Sequence, residues 1–173
     1  LRTAGVEILH AIEAALQNYQ PEKETWLLTF EDAGGLESLR GKYKFLNLGW
    51  VEETTAVAEA LNAADLFLMP SIAEAFGLMA IESMACGTPV IVFEGTALPE
   101  TINAPESGIA VPYKDSEALG RAIKQVLADP NLHRRLRENG LRHVAAKHSF
   151  DAYADGYLRL YERLTEETRT AHA

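Results

Sequence analysis

Cysteine is nearly absent: Cys86 is the only one, so neither a disulfide framework nor a cysteine zinc cluster can be built within the chain. It lies in an apolar stretch and reads as a buried structural thiol rather than a nucleophile. Long hydrophobic runs are missing too. None approaches the roughly 20 residues that span a bilayer, and the N-terminus carries no secretory signal pattern. The expectation is a soluble, cytoplasmic protein. Basic residues are in deficit, 16 against 25 acids for a formal charge of -9, which argues against nonspecific attraction to nucleic acid or anionic lipid as the main role. Internal repeats, low-complexity linkers and a second core are also lacking. The chain opens at Leu1 without methionine and enters a helical pattern by Gly5, which reads as a piece of something longer.

What is present is ordinary globular composition. The 173 residues are 47% hydrophobic and 24% charged, enough for one well-buried core. Val6, Leu9, Ile12 and Leu16 fit one face of a helix that Tyr19, Gln20 and Pro21 would end. Trp26 to Phe30 and Tyr43 to Leu48 read as strands, with a short helix over Leu36 to Gly41 between them. A helix follows over Thr54 to Ala64, then a strand at Leu66 to Met69, a loop to Gly77 and a helix over Leu78 to Ala85. Pro89 to Phe93 and Ile109 to Val111 are further strands, separated by a helical turn at Leu98 to Ile102. Asp115 can cap the next helix. Another starts at Pro130 or Asn131, and a last one starts at Ser149 or Phe150 and ends near Leu164. The expected domain covers residues 1–164, with a polar tail over 165–173 that frays.

Strands with few charges alternating with helices are buried on both faces and run parallel. The expected fold class is α/β, a doubly wound, Rossmann-like parallel sheet. Such sheets bind ligands at the carboxyl ends of their strands, which directs attention to the loop after Met69. Gly77 lacks a Cβ and permits close backbone approach where the following helix exposes unpaired N–H groups. Those donors and the helix dipole favour an anion, diphosphate above all. Glu74 sits in the loop and Glu82 one turn into the helix. Carboxylates beside an anion site are favourable when they accept hydrogen bonds from neutral hydroxyls, so the pair suggests a polyol attached to a phosphate.

Each residue also has a plainer reading. For Glu74 it is an exposed loop acid, for Glu82 a helix acid that stabilises the dipole, for Ser71 a loop cap, and for Gly77 and Gly87 start and stop signals of the helix. Glu100 is either a capping acid or a ligand contact. A glycosidase would also use two carboxylates, but it has no need of a phosphate-binding helix end between them. The basic run of His133, Arg134, Arg135, Arg137, Arg142, His143, Lys147 and His148 reads as a solvated face, with a membrane or polyanion patch as the alternative. Metal binding by its histidines is not expected. Phe150, Tyr153, Tyr157 and Tyr161 with Leu160 and Leu164 form an aromatic stripe for which core packing is the default.

The stretch Pro70-Ser71, Glu74-Ala75-Phe76-Gly77-Leu78, Glu82-Ser83-Met84-Ala85-Cys86-Gly87-Thr88-Pro89-Val90 resembles the signature of retaining glycosyltransferases of the GT-B fold, family 4 in particular. Weaker similarity at Gly5 to Ala14, Leu48 to Gly49, Ala64 to Asp65, Pro99 to Glu100, Gly108 and Asp115 extends it over nearly the whole chain. The resemblance implies the C-terminal, donor-binding half of a GT-B enzyme. Glu74 would contact the donor sugar as the catalytic residue, Glu82 would hold the ribose hydroxyls, and the backbone of Phe76, Gly77 and Leu78, with Ser71 nearby, would meet the diphosphate.

The implied donor is a nucleotide-diphosphate sugar, with no metal and no cofactor. The implied partner is an N-terminal acceptor-binding domain, against which the aromatic stripe would be exposed in this chain alone. Nucleic acid is not a partner, and any peripheral membrane contact would belong to the full-length protein. The sheet's first strand is expected to lie ahead of Leu1. Three positions depart from the pattern: Ala4 stands where the family has lysine, Arg2 is no secure substitute for its arginine, and Thr96-Ala97 replaces a glycine pair. The resemblance therefore also admits a degenerate, non-catalytic binding or assembly domain.

Overall fold

The computed structural model describes residues 2–19, 21–30 and 36–171. Helical periodicity produces α1 (Arg2–Asn18), in which Ala15 and Leu16 are buried and Leu9 and Ile12 pack beside them; the side chains of residues 2–8, including Ala4 and Arg2, lie outside the described set. Trp26–Thr29 forms β1, a 3₁₀ turn follows at Glu37–Leu39, and Lys44–Asn47 forms β2. The remaining order is α2 (Thr54–Ala63), β3 (Phe67–Met69), α3 (Leu78–Ala85), β4 (Val90–Phe93), α4 (Leu98–Thr101), β5 (Ile109–Val111), α5 (Ser116–Ala128), α6 (Pro130–Lys147) and α7 (Phe150–Ala171).

Every described strand pair is parallel. The four residues of β4 are fully buried and alternate between two cores. Ile91 and Phe93 face one that includes Ala15 and Leu16 of α1 and Leu119, Ile123 and Val126 of α5. Val90 and Val92 face the other, with Ala80 and Met84 of α3 and Leu98 of α4. Helices thus cover both faces, as an α/β doubly wound arrangement requires. The strands form two hydrogen-bonded sheets, β1-β2 and β3-β4-β5, rather than one ladder. Apolar patterning reports that a strand is buried, not which neighbour it pairs with. In the smaller sheet Leu27 and Phe45 join the α1 core, while on the opposite face Trp26 and Leu46 are 56% and 44% exposed among the described residues.

Helix ends follow their capping chemistry. Asp115 accepts from Ala118 N–H at 2.8 Å at the start of α5, and Asp129 accepts from Asn131 and Leu132 N–H at 2.9 and 3.1 Å at the start of α6. The last helix does not stop near Leu164 but continues to Ala171. The hydroxyl of Thr165 donates to the Tyr161 and Glu162 carbonyls and that of Thr168 to Leu164. The polarity of this tail marks exposure, not a break in the helix. No described helix is long and apolar enough to cross a membrane.

Candidate functional site

β3 delivers the chain to its carboxyl end at Met69, and Pro70 is buried there. Ser71 is half-buried and its N–H donates to the Met69 carbonyl at 2.8 Å. The loop ends at Gly77, which is buried, sits at φ +84° and forms the N-cap of α3. A Cβ at Gly77 would overlap the Leu98 side chain, so glycine is required twice, by conformation and by space. The helix start has no side-chain cap, unlike the aspartate-capped α5 and α6. Its first turn is thus left without a capping carboxylate, while Ala80 N–H donates to the Gly77 carbonyl at 3.0 Å. Leu78, at that turn, is 64% exposed, and Phe76 is 50% exposed.

Glu74 is half-buried, and its Oε1 accepts from the N–H groups of Ala75 at 3.0 Å and Phe76 at 3.4 Å. The carboxylate thus lies on the loop's own amides. The Glu74 carbonyl accepts from Ala97 N–H at 3.4 Å, and with Leu98 against Gly77 this ties the loop to the turn after β4. Glu82 is exposed on α3, one turn beyond its start. Cys86 follows it by a further turn, half-buried rather than buried, and its thiol is pushed up first by burial and then by the Glu82 carboxylate. The structure therefore places Ser71, Glu74, Phe76, Gly77 and Leu78 in one loop and helix start, with Glu82 on the adjoining turn.

The second half of the signature serves packing. Gly87, at φ +79°, ends α3 in a Schellman motif in which Gly87 N–H donates to the Met84 carbonyl and Thr88 N–H to the Ser83 carbonyl. Ser83 and Thr88 are buried, and the Thr88 hydroxyl donates to Leu61 O at 2.6 Å, closing the end of α2. Thus Gly87 is a helix stop.

The basic run of α6 is only partly a solvated face. Arg134, Arg135 and Arg142 are exposed, but His133 bonds the Asp65 carbonyl, Arg137 donates to the Gly87 carbonyl at 3.1 Å, and His143 bonds the Thr101 carbonyl at 3.0 Å. The sequence reading missed a contact at the site itself: the ring of His148 packs edge-on to Phe76, with centroids 5.9 Å apart. Its signal was slight, a histidine at the end of a charged helix. Among the described residues no group of three or more His, Cys, Asp or Glu side chains is arranged to hold a metal.

The family model described as glycosyl transferases group 1 matches residues 36–143, which contain the whole site. The chain belongs to the glycosyl transferases group 1 family. This group 1 glycosyltransferase chain is 39% identical over 115 residues to a D-inositol 3-phosphate glycosyltransferase of Streptomyces bingchenggensis, a match covering 62% of the chain and 25% of that relative. Among solved structures it is similar to sucrose-phosphate synthase from Thermosynechococcus elongatus, with a TM-score of 0.74, 33% identity and coverage of 96% of this chain and 44% of that one. Its fold is shared with Anabaena HepE, solved in complex with UDP and glucose, at a TM-score of 0.67, 20% identity and coverage of 90% and 44%. The chain thus spans a quarter of that curated relative and under half of each of these two structures. Its parallel α/β architecture is the one found in GT-B glycosyltransferases.

Proposed function

We propose that this chain is the C-terminal, donor-binding domain of a retaining family 4 glycosyltransferase, which moves a sugar from a nucleotide-diphosphate sugar to an acceptor hydroxyl. The observation that carries this reading is the start of α3, where a left-handed glycine and an uncapped helix end stand between Glu74 and Glu82. The diphosphate would lie on the amides of Phe76, Gly77 and Leu78, beside Ser71, where the helix dipole stabilises the charge that grows on the leaving group. Glu82 would accept from the ribose hydroxyls. Glu74, which now lies on the Ala75 and Phe76 amides, would exchange them for the hydroxyls of the donor sugar. The nucleotide sugar is a substrate, and the reading calls for no cofactor.

The acceptor site belongs to a second, N-terminal domain of a longer cytoplasmic polypeptide. The 173-residue chain alone is therefore expected to show no turnover. The second reading, a degenerate domain that binds or assembles without catalysis, is favoured by Ala4 in place of the usual lysine and by Thr96-Ala97 in place of a glycine pair.

Calorimetric titration of the full-length polypeptide with UDP-, GDP- and ADP-sugars tests both. Micromolar binding of one nucleotide supports donor binding; millimolar or absent binding of all three supports degeneracy. Glu82→Ala should weaken binding of the nucleotide even without its sugar, by about tenfold, the size of a hydrogen bond to a charged group. Glu74→Ala should matter only when the sugar is attached. If both variants bind both ligands like wild type, the site assignment is wrong.

A further inference from the structure

The donor-binding reading leaves α6 without a role, yet this helix packs beside α3. It begins at the amino end of β3, where His133 meets the Asp65 carbonyl. It passes the end of α3 where Arg137 donates to Gly87 O, and Gly140 lies against Met84. Its C-cap is His148, at the level of the donor loop.

There two imidazoles lock together. The His143 Nε2 bonds the Thr101 carbonyl at 3.0 Å and lies 3.3 Å from the Nε2 of His148. A carbonyl only accepts, so the His143 nitrogen carries the proton in that bond. The rings meet at 69° with centroids 5.1 Å apart. On its other side, His148 meets the Phe76 ring at 72° and 5.9 Å, the edge-to-face geometry that aromatic pairs prefer. Burial, followed by the neighbouring His143, holds the His148 imidazole below its ordinary range, which suits a neutral packing role.

Phe76 is half-exposed, and its N–H is one of those that Glu74 now occupies. Fixing its ring fixes the peptide on either side of it. We propose that His148, braced by His143, is a positioning residue that holds Phe76 and so sets the path of the Glu74–Gly77 backbone on which the donor would lie. This rests on the donor-binding reading above. His148 does not touch the donor; it acts through the Phe76 ring.

Titration of full-length variants with UDP-glucose, GDP-mannose and ADP-glucose, using whichever binds wild type, tests it. His148→Ala and His148→Gln, which lose the ring, should weaken binding about fivefold without a change in melting temperature beyond a few degrees. His148→Phe, which restores a ring and removes the nitrogens, should return affinity to within about twofold of wild type. In a double-mutant cycle, His148→Ala should have no further effect once Phe76 is Leu. Wild-type affinity in His148→Ala, or additive losses in the cycle, would overturn the proposal while leaving donor binding intact. Failure of wild type to bind any of the three nucleotides would remove the donor reading and this proposal with it.

Discussion

Gly77 meets two separate demands, a backbone at φ +84° and a surface with no room beside Leu98. Gly49 meets only the first, since it lies at φ +66° with nothing within 4 Å of the place a Cβ would take. Comparing the two alanine variants separates conformation from contact. Gly49→Ala should cost about 1 kcal/mol, the left-handed penalty alone. Gly77→Ala should cost about 1–3 kcal/mol more, because Leu98 or the loop must shift, and it should also abolish nucleotide binding. Urea melts of both variants measure the difference. Equal losses would mean that Leu98 yields freely, and the loop would then not be fixed by this contact. Glycine at position 77 was legible as a helix start from its place between a strand and an apolar run. The Leu98 contact was not, because it joins residues whose proximity depends on the order of strands in space.

At the scale of elements, α1 is terminated by side chains from the segment leading into β2. The Tyr43 hydroxyl donates to the Leu16 carbonyl at 2.7 Å and to Tyr19 O at 3.2 Å, and the Lys42 ammonium donates to the carbonyls of Leu16 at 3.1 Å and Gln17 at 2.7 Å. These are the carbonyls that a helix C-terminus leaves unpaired. Tyr43 is buried, and its hydroxyl is pushed up to about 12, mainly by burial and then by Tyr19. Its folded value thus lies above its ordinary value near 10. The hydroxyl's contribution is complete below pH 10 and is lost as the pH rises towards 12. Tyr43→Phe should therefore be less stable than wild type by about 1 kcal/mol at neutral pH, and the gap should close between pH 10 and 12. Urea melts across that range measure it; a gap independent of pH would show that the lost hydroxyl bond is not its source.

Elements themselves were the most legible level. α3 and β5 occupy the residues expected of them, because Gly77 and Gly87 bracket the first and turn residues flank the second. Asp115 caps α5 as its position predicts. What escaped was the extent of α7, whose polar, exposed residues continue the helix past Leu164, and the side-chain duties of α6. Its arginines and histidines look alike in a sequence, yet Arg137 and His143 reach backbone carbonyls outside the helix while Arg134 bonds Asn131 within it.

Over the whole molecule, the main core is continuous from α1 through β4 to α5, and α7 carries a row of exposed apolar side chains. Phe150, Tyr153, Tyr157, Tyr161 and Leu164 recur at helical spacing, and their exposures run from 46% to 82%. The tyrosine rings form a row, with centroids 4.7 and 6.2 Å apart between neighbours. Core packing, the default for such a stripe, thus does not hold for these five residues, although Leu160 of the same stripe is half-buried, and a contiguous apolar face of this kind marks a surface that another body covers. The proposed acceptor-binding domain is that body in the reading given above. Hydroxyl-radical footprinting should then label Tyr153, Tyr157 and Tyr161 readily in the isolated 173-residue chain and several-fold more slowly in the full-length polypeptide. Equal labelling of the α7 tyrosines in both proteins would show that the partner domain does not use this helix, even if the donor site beside Glu74 is correct.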